Sequence, residues 1–132
     1  MRSRWSDLAE YREADAEYAP GTLVMFGGEK EITICDGKNC HAIVTTKPGL
    51  VLNSPLEEGA GEKKTMVGLA LVGKVPVKVV GDVKKFDRLV PSRKYKGQAR
   101  KRHWFEFFKR PIGIALSDAK DGKVDCMTRM EF

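Results

Sequence analysis

Few residues in this chain are suited to chemistry. Cys35, Cys40 and His41 stand close together and could supply three ligands to a metal, with Cys126 as a fourth from farther along. Structural zinc sites usually combine two short-spaced pairs, and no second pair is present. The spacing therefore favours Cys35 and Cys40 as small apolar residues flanking the Asp36–Asn39 loop of a hairpin. The other common arrangement is a nucleophile activated by a base that a third group orients. His41 and His103 are the only histidines, and neither sits in a triad context. Neither a Gly-x-Ser-x-Gly elbow nor a phosphate-cradling glycine loop occurs. Self-cleavage asks for less, since one hydroxyl beside a strained peptide bond can suffice. Arg4-Trp5-Ser6-Asp7 and Asn53-Ser54-Pro55 place hydroxyls beside peptide bonds, but no residue set fixes a mechanism. No catalytic residue, no metal site and no cofactor is expected.

The residues that do concentrate a property lie between Val83 and Arg110. Eleven basic residues there face only Asp87 and Glu106, a balance of +9 that leaves −3 for the rest of a +6 chain. Charge of that density repels itself unless solvated, screened or opposed by an anionic partner. Aromatic rings are interleaved with it: Tyr95, Trp104, Phe105, Phe107 and Phe108, alongside Arg100, Lys101, Arg102, Lys109 and Arg110. Each ring can bury roughly 150 Å² or more, so leaving all five in water is costly, while the cations cannot be buried without partners. These ten residues are the candidate interaction site, expected as a projecting loop whose rings pack on a neighbour with cations at the rim. The same composition suits phosphates and stacked bases, but a basic patch alone is a weak criterion, and nucleic acid is not the expected partner.

The elements that would carry this segment are short. With 132 residues, 42% hydrophobic and 32% charged, the chain fits one globular domain. Its apolar runs are brief, Leu69–Val72 being four residues, far below the roughly 20 of a membrane-spanning helix. No membrane association is expected, and the charged N-terminus lacks the apolar core of a signal peptide. Three cysteines are too few for a disulfide scaffold and favour a reducing compartment.

Ser6–Tyr18 is the one helix candidate, with Ser6 as N-cap and a thin stripe of Leu8, Tyr11, Ala14 and Tyr18, stopped by Pro20-Gly21. Thereafter short apolar runs alternate with turn residues. Thr22–Phe26 is reversed by Gly27-Gly28, and Glu31–Cys35 and His41–Thr45 flank the hairpin-type signal Asp36-Gly37. Gly49–Leu52 precedes Met66–Val72, with a polar, mobile loop expected over 53–65. Val75, Val77 and Val79 show period two, with Pro76 suggesting an edge or bulge. Phe86–Val90, Ile112–Leu116 and Val124–Met127 complete the set, the last two joined around Asp121-Gly122. The expected architecture is one mainly β domain, an antiparallel barrel or sandwich of eight or nine short strands. An N-terminal arm over 1–20, helical or irregular, and a basic–aromatic loop over 93–110 accompany it.

An ordered series of strings carries a resemblance. They run from Trp5-Ser6-Asp7-Leu8, Tyr18-Ala19-Pro20-Gly21-Thr22 and Phe26-Gly27-Gly28-Glu29 through Ala42-Ile43-Val44-Thr45 and Leu52-Asn53-Ser54. Val67-Gly68-Leu69-Ala70-Leu71-Val72, Asp87-Arg88-Leu89-Val90-Pro91 and Pro111-Ile112-Gly113-Ile114 continue it. The series resembles the C-terminal domain of bacteriophage tail-fibre and tail-spike proteins, a domain related to the self-cleaving intramolecular chaperones of phage neck appendages. The chain departs from it in the Cys35–Cys40 loop and in Tyr95–Arg110, which is longer and more basic. The resemblance implies a virion structural protein, made in the host cytoplasm, that self-associates as a trimer and contacts other phage tail or capsid proteins. A capsid decoration protein, a self-cleaving chaperone and a nucleic-acid-binding barrel are the alternatives.

Overall fold

A computed structural model of the chain describes residues 8–45, 50–51 and 65–129. They form a ten-stranded sheet, and among the described residues the only helical element is a single 3-10 turn at Trp104–Glu106. The strands are β1 (Leu8–Glu13), β2 (Leu23–Phe26), β3 (Ile32–Ile34), β4 (Ala42–Val44) and β5 (Leu50–Val51). They continue with β6 (Met66–Lys78), β7 (Arg88–Pro91), β8 (Ala99–Lys101), β9 (Gly113–Ala115) and β10 (Lys123–Arg129). The main path runs β3-β2-β4-β6-β10-β9-β7-β8, with β1 on β6 and β5 on β1. All pairings are antiparallel except β1 with β5. The mainly β, antiparallel expectation holds. The sheet curls until its far end returns to its middle, where Ala99 O accepts the Val80 amide at 2.9 Å and Gly97 O accepts the Leu23 amide at 2.8 Å.

The spine is β6, a single strand of 13 residues. Met66–Val72 and Val75–Val79 were expected as separate strands, but they are continuous through Gly73-Lys74. What changes there is the face that is buried. Ala70 points into the main core with Leu23, Ile43 and Leu89, whereas Val67 and Leu69 belong to a second cluster with Val24, Ile32 and Val44. Past Gly73, at φ +124, the odd-numbered Val75, Val77 and Val79 face the main core instead. A glycine adopts that backbone without a Cβ penalty. Nearby, the pairing with β1 slips by one residue between Leu8↔Val72 and Ala9↔Ala70. Pro76 fits because its ring nitrogen has no hydrogen to place. The Val79 amide reaches Gly122 O on the β10 side, while the Lys78 amide reaches Gly21 O on the other. Even-numbered amides thus point away from β10, and Pro76 occupies one of those positions.

Two expectations are corrected. Over Leu8–Glu13 the N-terminal segment is a strand, not a helix. In a strand residues two apart share a face, which is what the Glu10–Arg12 ion pair at 3.1 Å uses. The remaining edge of β6 needed a partner, and that tertiary demand outweighed a weak helical stripe. Asp36-Gly37 is not a hairpin turn either. β3 and β4 both pair with β2, one on each side, so the loop between them crosses over β2. Within the loop Asp36 accepts the Lys38 and Asn39 amides at 2.8 Å each. The reversal at Gly27-Gly28 joins β2 to β3, and Asp87 accepts the Lys84 amide at 2.8 Å ahead of β7.

Gly113 tests the closeness of β9 and β10. A Cβ there would lie 2.5 Å from the Met127 carbonyl oxygen and against the Cys126 sulfur. Gly113→Ala is expected to destabilise the fold by about 1–3 kcal/mol, read as a lower midpoint in chemical denaturation with an unchanged slope.

Candidate interaction surface

The basic–aromatic segment is built around one carboxylate. Glu106 ends the 3-10 turn and is 7% exposed. Its two oxygens accept the Arg100 guanidinium in a fork at 2.8 and 2.7 Å, Arg100 coming from β8. One oxygen also accepts the His103 amide at 2.9 Å, and Lys109 Nζ lies 3.1 Å from the other. Such charge-assisted bonds are stronger than neutral ones. The Arg100 guanidinium foremost, then the His103 amide, hold the Glu106 carboxyl far below the usual carboxylate range. The returning chain is fixed as well, because Arg102 Nη1 donates to Lys109 O at 2.8 Å.

With the carboxylate turned inward, the neighbouring side chains turn outward. Trp104 is 88% exposed, Phe105 56%, Phe107 70% and Phe108 73%. Tyr95 is also exposed, with Lys94 Nζ 5.5 Å from its ring centre. The rings meet one another. Trp104 meets Phe105 edge to face at 5.8 Å, Phe107 meets Phe108 likewise at 6.0 Å, and His103 stacks on Phe105 at 5.3 Å. None of the five aromatic candidates joins the hydrophobic core. Of the five cationic ones, Arg100 and Lys109 are spent on Glu106, and Arg102 on the backbone of the return. Lys101 and Arg110 are exposed. So many large rings exposed side by side are unusual on a folded domain. Sequence reasoning missed Glu106, whose role shows only as an acid isolated among cations, and the exposed Phe86 at φ +76.

The cysteines fall elsewhere. Cys35 and Cys126 lie in the main core, with Cys40 packed against it, and all three are free thiols. Cys35 Sγ donates to Asn39 O at 2.8 Å. A thiol–thiol hydrogen bond with Cys40 lowers the Cys35 pKa and raises that of Cys40, while burial pushes Cys126 up to about 12. His41 Nδ1 instead accepts the Phe26 amide at 3.0 Å. Among the described residues no group of three or more His, Cys, Asp or Glu side chains could hold a metal. The hydroxyls considered for self-cleavage, Ser6 and Ser54, and most of the 53–65 loop lie outside the described residues.

Comparison with solved structures places this architecture. A C-terminal fragment of gene product 12 of bacteriophage phi29 superposes with a TM-score of 0.65 at 13% identity, covering 95% of this chain and all of that one. The N base of the head fibre gp8.5 of phi29 gives 0.51 at 16% identity, covering 95% and 98%. The chain has the fold of these two bacteriophage proteins. No protein-family model and no curated protein matches its sequence.

Replacing Glu106 tests the anchor. Glu106→Gln is expected to cost about 1–3 kcal/mol at neutral pH, because the Arg100 fork and Lys109 lose their anion. The folded pKa is depressed, so this contribution is present above the unfolded value of ~4.3 and is lost as pH falls toward the lower folded one. Denaturation midpoints of the two proteins should therefore converge as the pH is lowered from 6 toward about 3.

Proposed function

We propose that this chain is a bacteriophage virion structural protein, a self-associating β domain of tail-fibre or tail-spike terminal type that mediates assembly or attachment. The observation that carries it is the outward set of Trp104, Phe105, Phe107 and Phe108 on a turn that Glu106 holds from within. A turn whose backbone is held before binding loses little conformational freedom on docking. The likeness to two phage domains supplies the setting. The partners are further copies of the chain, as a trimer, together with other phage tail or capsid proteins, and the protein is made in the host cytoplasm and built into the virion. A cyclic trimer requires two different faces to meet, and a +9 segment on a chain whose remainder is −3 supplies unlike faces. In that contact the rings occupy the centre and Lys101 and Arg110 the rim.

A head-surface location is the second reading, favoured by the likeness to the head-fibre base. Trp104→Ala combined with Phe107→Ala should lower the sedimentation coefficient or abolish incorporation into particles, while the circular dichroism remains that of a β protein. Wild-type assembly and attachment by the double variant would show that the patch is ordinary surface.

A further inference from the structure

The Cys35–Cys40 loop is one of the two stretches in which the chain departs from its phage resemblance, and the assembly role makes no use of it. Its two ends are thiols that meet. Cys35 lies in the main core, Cys40 packs half-buried against that core, and the two side chains hydrogen-bond to each other. The four residues between them, Asp36–Asn39, carry the chain across β2 from β3 to β4.

The loop holds the two sulfurs in a fixed relation. Asp36 accepts the Lys38 and Asn39 amides, while Cys35 Sγ donates to Asn39 O at 2.8 Å and accepts the Gly37 amide at 3.4 Å. Gly37, at φ +92, lies so close to the chain after β7 that a Cβ there would sit 2.7 Å from Arg93 Cα. Only glycine lets the two backbones approach in this way. The third thiol, Cys126, is fully buried in the same core, and burial pushes it up to about 12, which leaves it unreactive.

We propose that Cys35 and Cys40 form a reversible disulfide, with a small-molecule disulfide such as oxidised glutathione as the oxidant. The Cys40 thiol foremost, then the Gly37 amide, draw the Cys35 thiol below its ordinary pKa. Cys35 therefore loses its proton first and takes that of Cys40 across their hydrogen bond. Cys40 is the sulfur that solvent reaches, and its thiolate attacks one sulfur of the oxidant. A mixed disulfide forms, the S–S bond of the oxidant breaks, and one glutathione thiolate leaves. Cys35 passes its proton to that thiolate and attacks the Cys40 sulfur, expelling the second glutathione, which is protonated from water. Two electrons and two protons have then moved from the protein to glutathione. Asn39 is exposed, so its carbonyl turns to water when the Cys35 donor is lost. The bond closes a ring of six residues and removes freedom from the unfolded chain. Only the timing rests on the proposed function: a chain reduced in the host cytoplasm meets an oxidising medium on release.

Mass spectrometry of the folded full chain, reduced and then incubated with oxidised glutathione at neutral pH, tests this. A loss of about 2 Da with no glutathione retained is expected, reversed by dithiothreitol. Trypsin cuts after Lys38, between the two cysteines, so the peptide Glu31–Lys38 should stay joined to the one that begins at Asn39. Cys35→Ala should stall the reaction with glutathione held on Cys40, whereas Cys40→Ala should leave the folded chain free of glutathione. The oxidised chain should show a higher midpoint in chemical denaturation than the reduced one. A wild-type chain that stays reduced, that keeps a glutathione, or that joins either cysteine to Cys126 overturns the proposal, and none of these readings depends on a variant folding. A midpoint that is unchanged or lowered by oxidation overturns the stabilising role of the bond.

Discussion

The hydrogen-bonding demand of β6 organises this protein. A 13-residue strand exposes amides and carbonyls along both edges, and unpaired groups of that kind are costly once buried. Four segments meet the demand. β1 runs along Met66–Val72, β4 pairs at Leu69 and Ala70, β10 pairs along Val72–Lys78, and the Gly21 turn receives the Lys78 amide. The change of buried face near Gly73 lets one strand serve two cores. Val67 and Leu69 seal the cluster around Val24 and Ile32, and Val75 and Val77 seal the one around Leu23 and Leu89. This also explains why β2 and β4 read as unbroken apolar runs. Leu23 and Val24, or Ile43 and Val44, point to opposite faces, and both faces are covered.

The surface depends on a second constraint that is electrostatic. Glu106 is nearly buried, and a carboxylate in that position must be matched by donors. Arg100, the His103 amide and Lys109 match it, and in doing so they set the direction of the 3-10 turn. The rings on either side of Glu106 have no route inward, because the interior side of the turn holds charge. The concentration of cations, which looks self-repelling in sequence, is partly neutralised locally. Arg100 and Lys109 share one anion, and Arg102 is tied to the backbone. Cations and rings are thereby sorted, with part of the charge folded under and the apolar surface presented.

Much of the architecture was legible where the local signal and the tertiary demand agree. The alternation of Val75, Val77 and Val79 and the stops at Gly27-Gly28 and Asp121-Gly122 report backbone preferences that survive in the fold. The reading failed where the deciding partner was remote. Residues 8–13 carry a faint helical stripe, and only the open edge of β6 makes them a strand. Asp36-Gly37 has the chemistry of a hairpin turn, but turn chemistry fixes a reversal and not the strand that receives the chain, and β2 stands between its two ends.

By itself the sequence determined that this chain is a β protein and that one segment concentrates cations and rings beyond what a solvated loop requires. Periodicity, turn residues and composition are local quantities, and they suffice for both conclusions. Tertiary structure alone decided which side of that segment faces out, because the position of the Arg100 fork on β8 decides where the Glu106 carboxylate must sit. It alone also brought Gly37 against Arg93, since that contact joins residues distant in the chain through the curl of the sheet. Contacts of this kind depend on shape at a distance, which no window of sequence encodes.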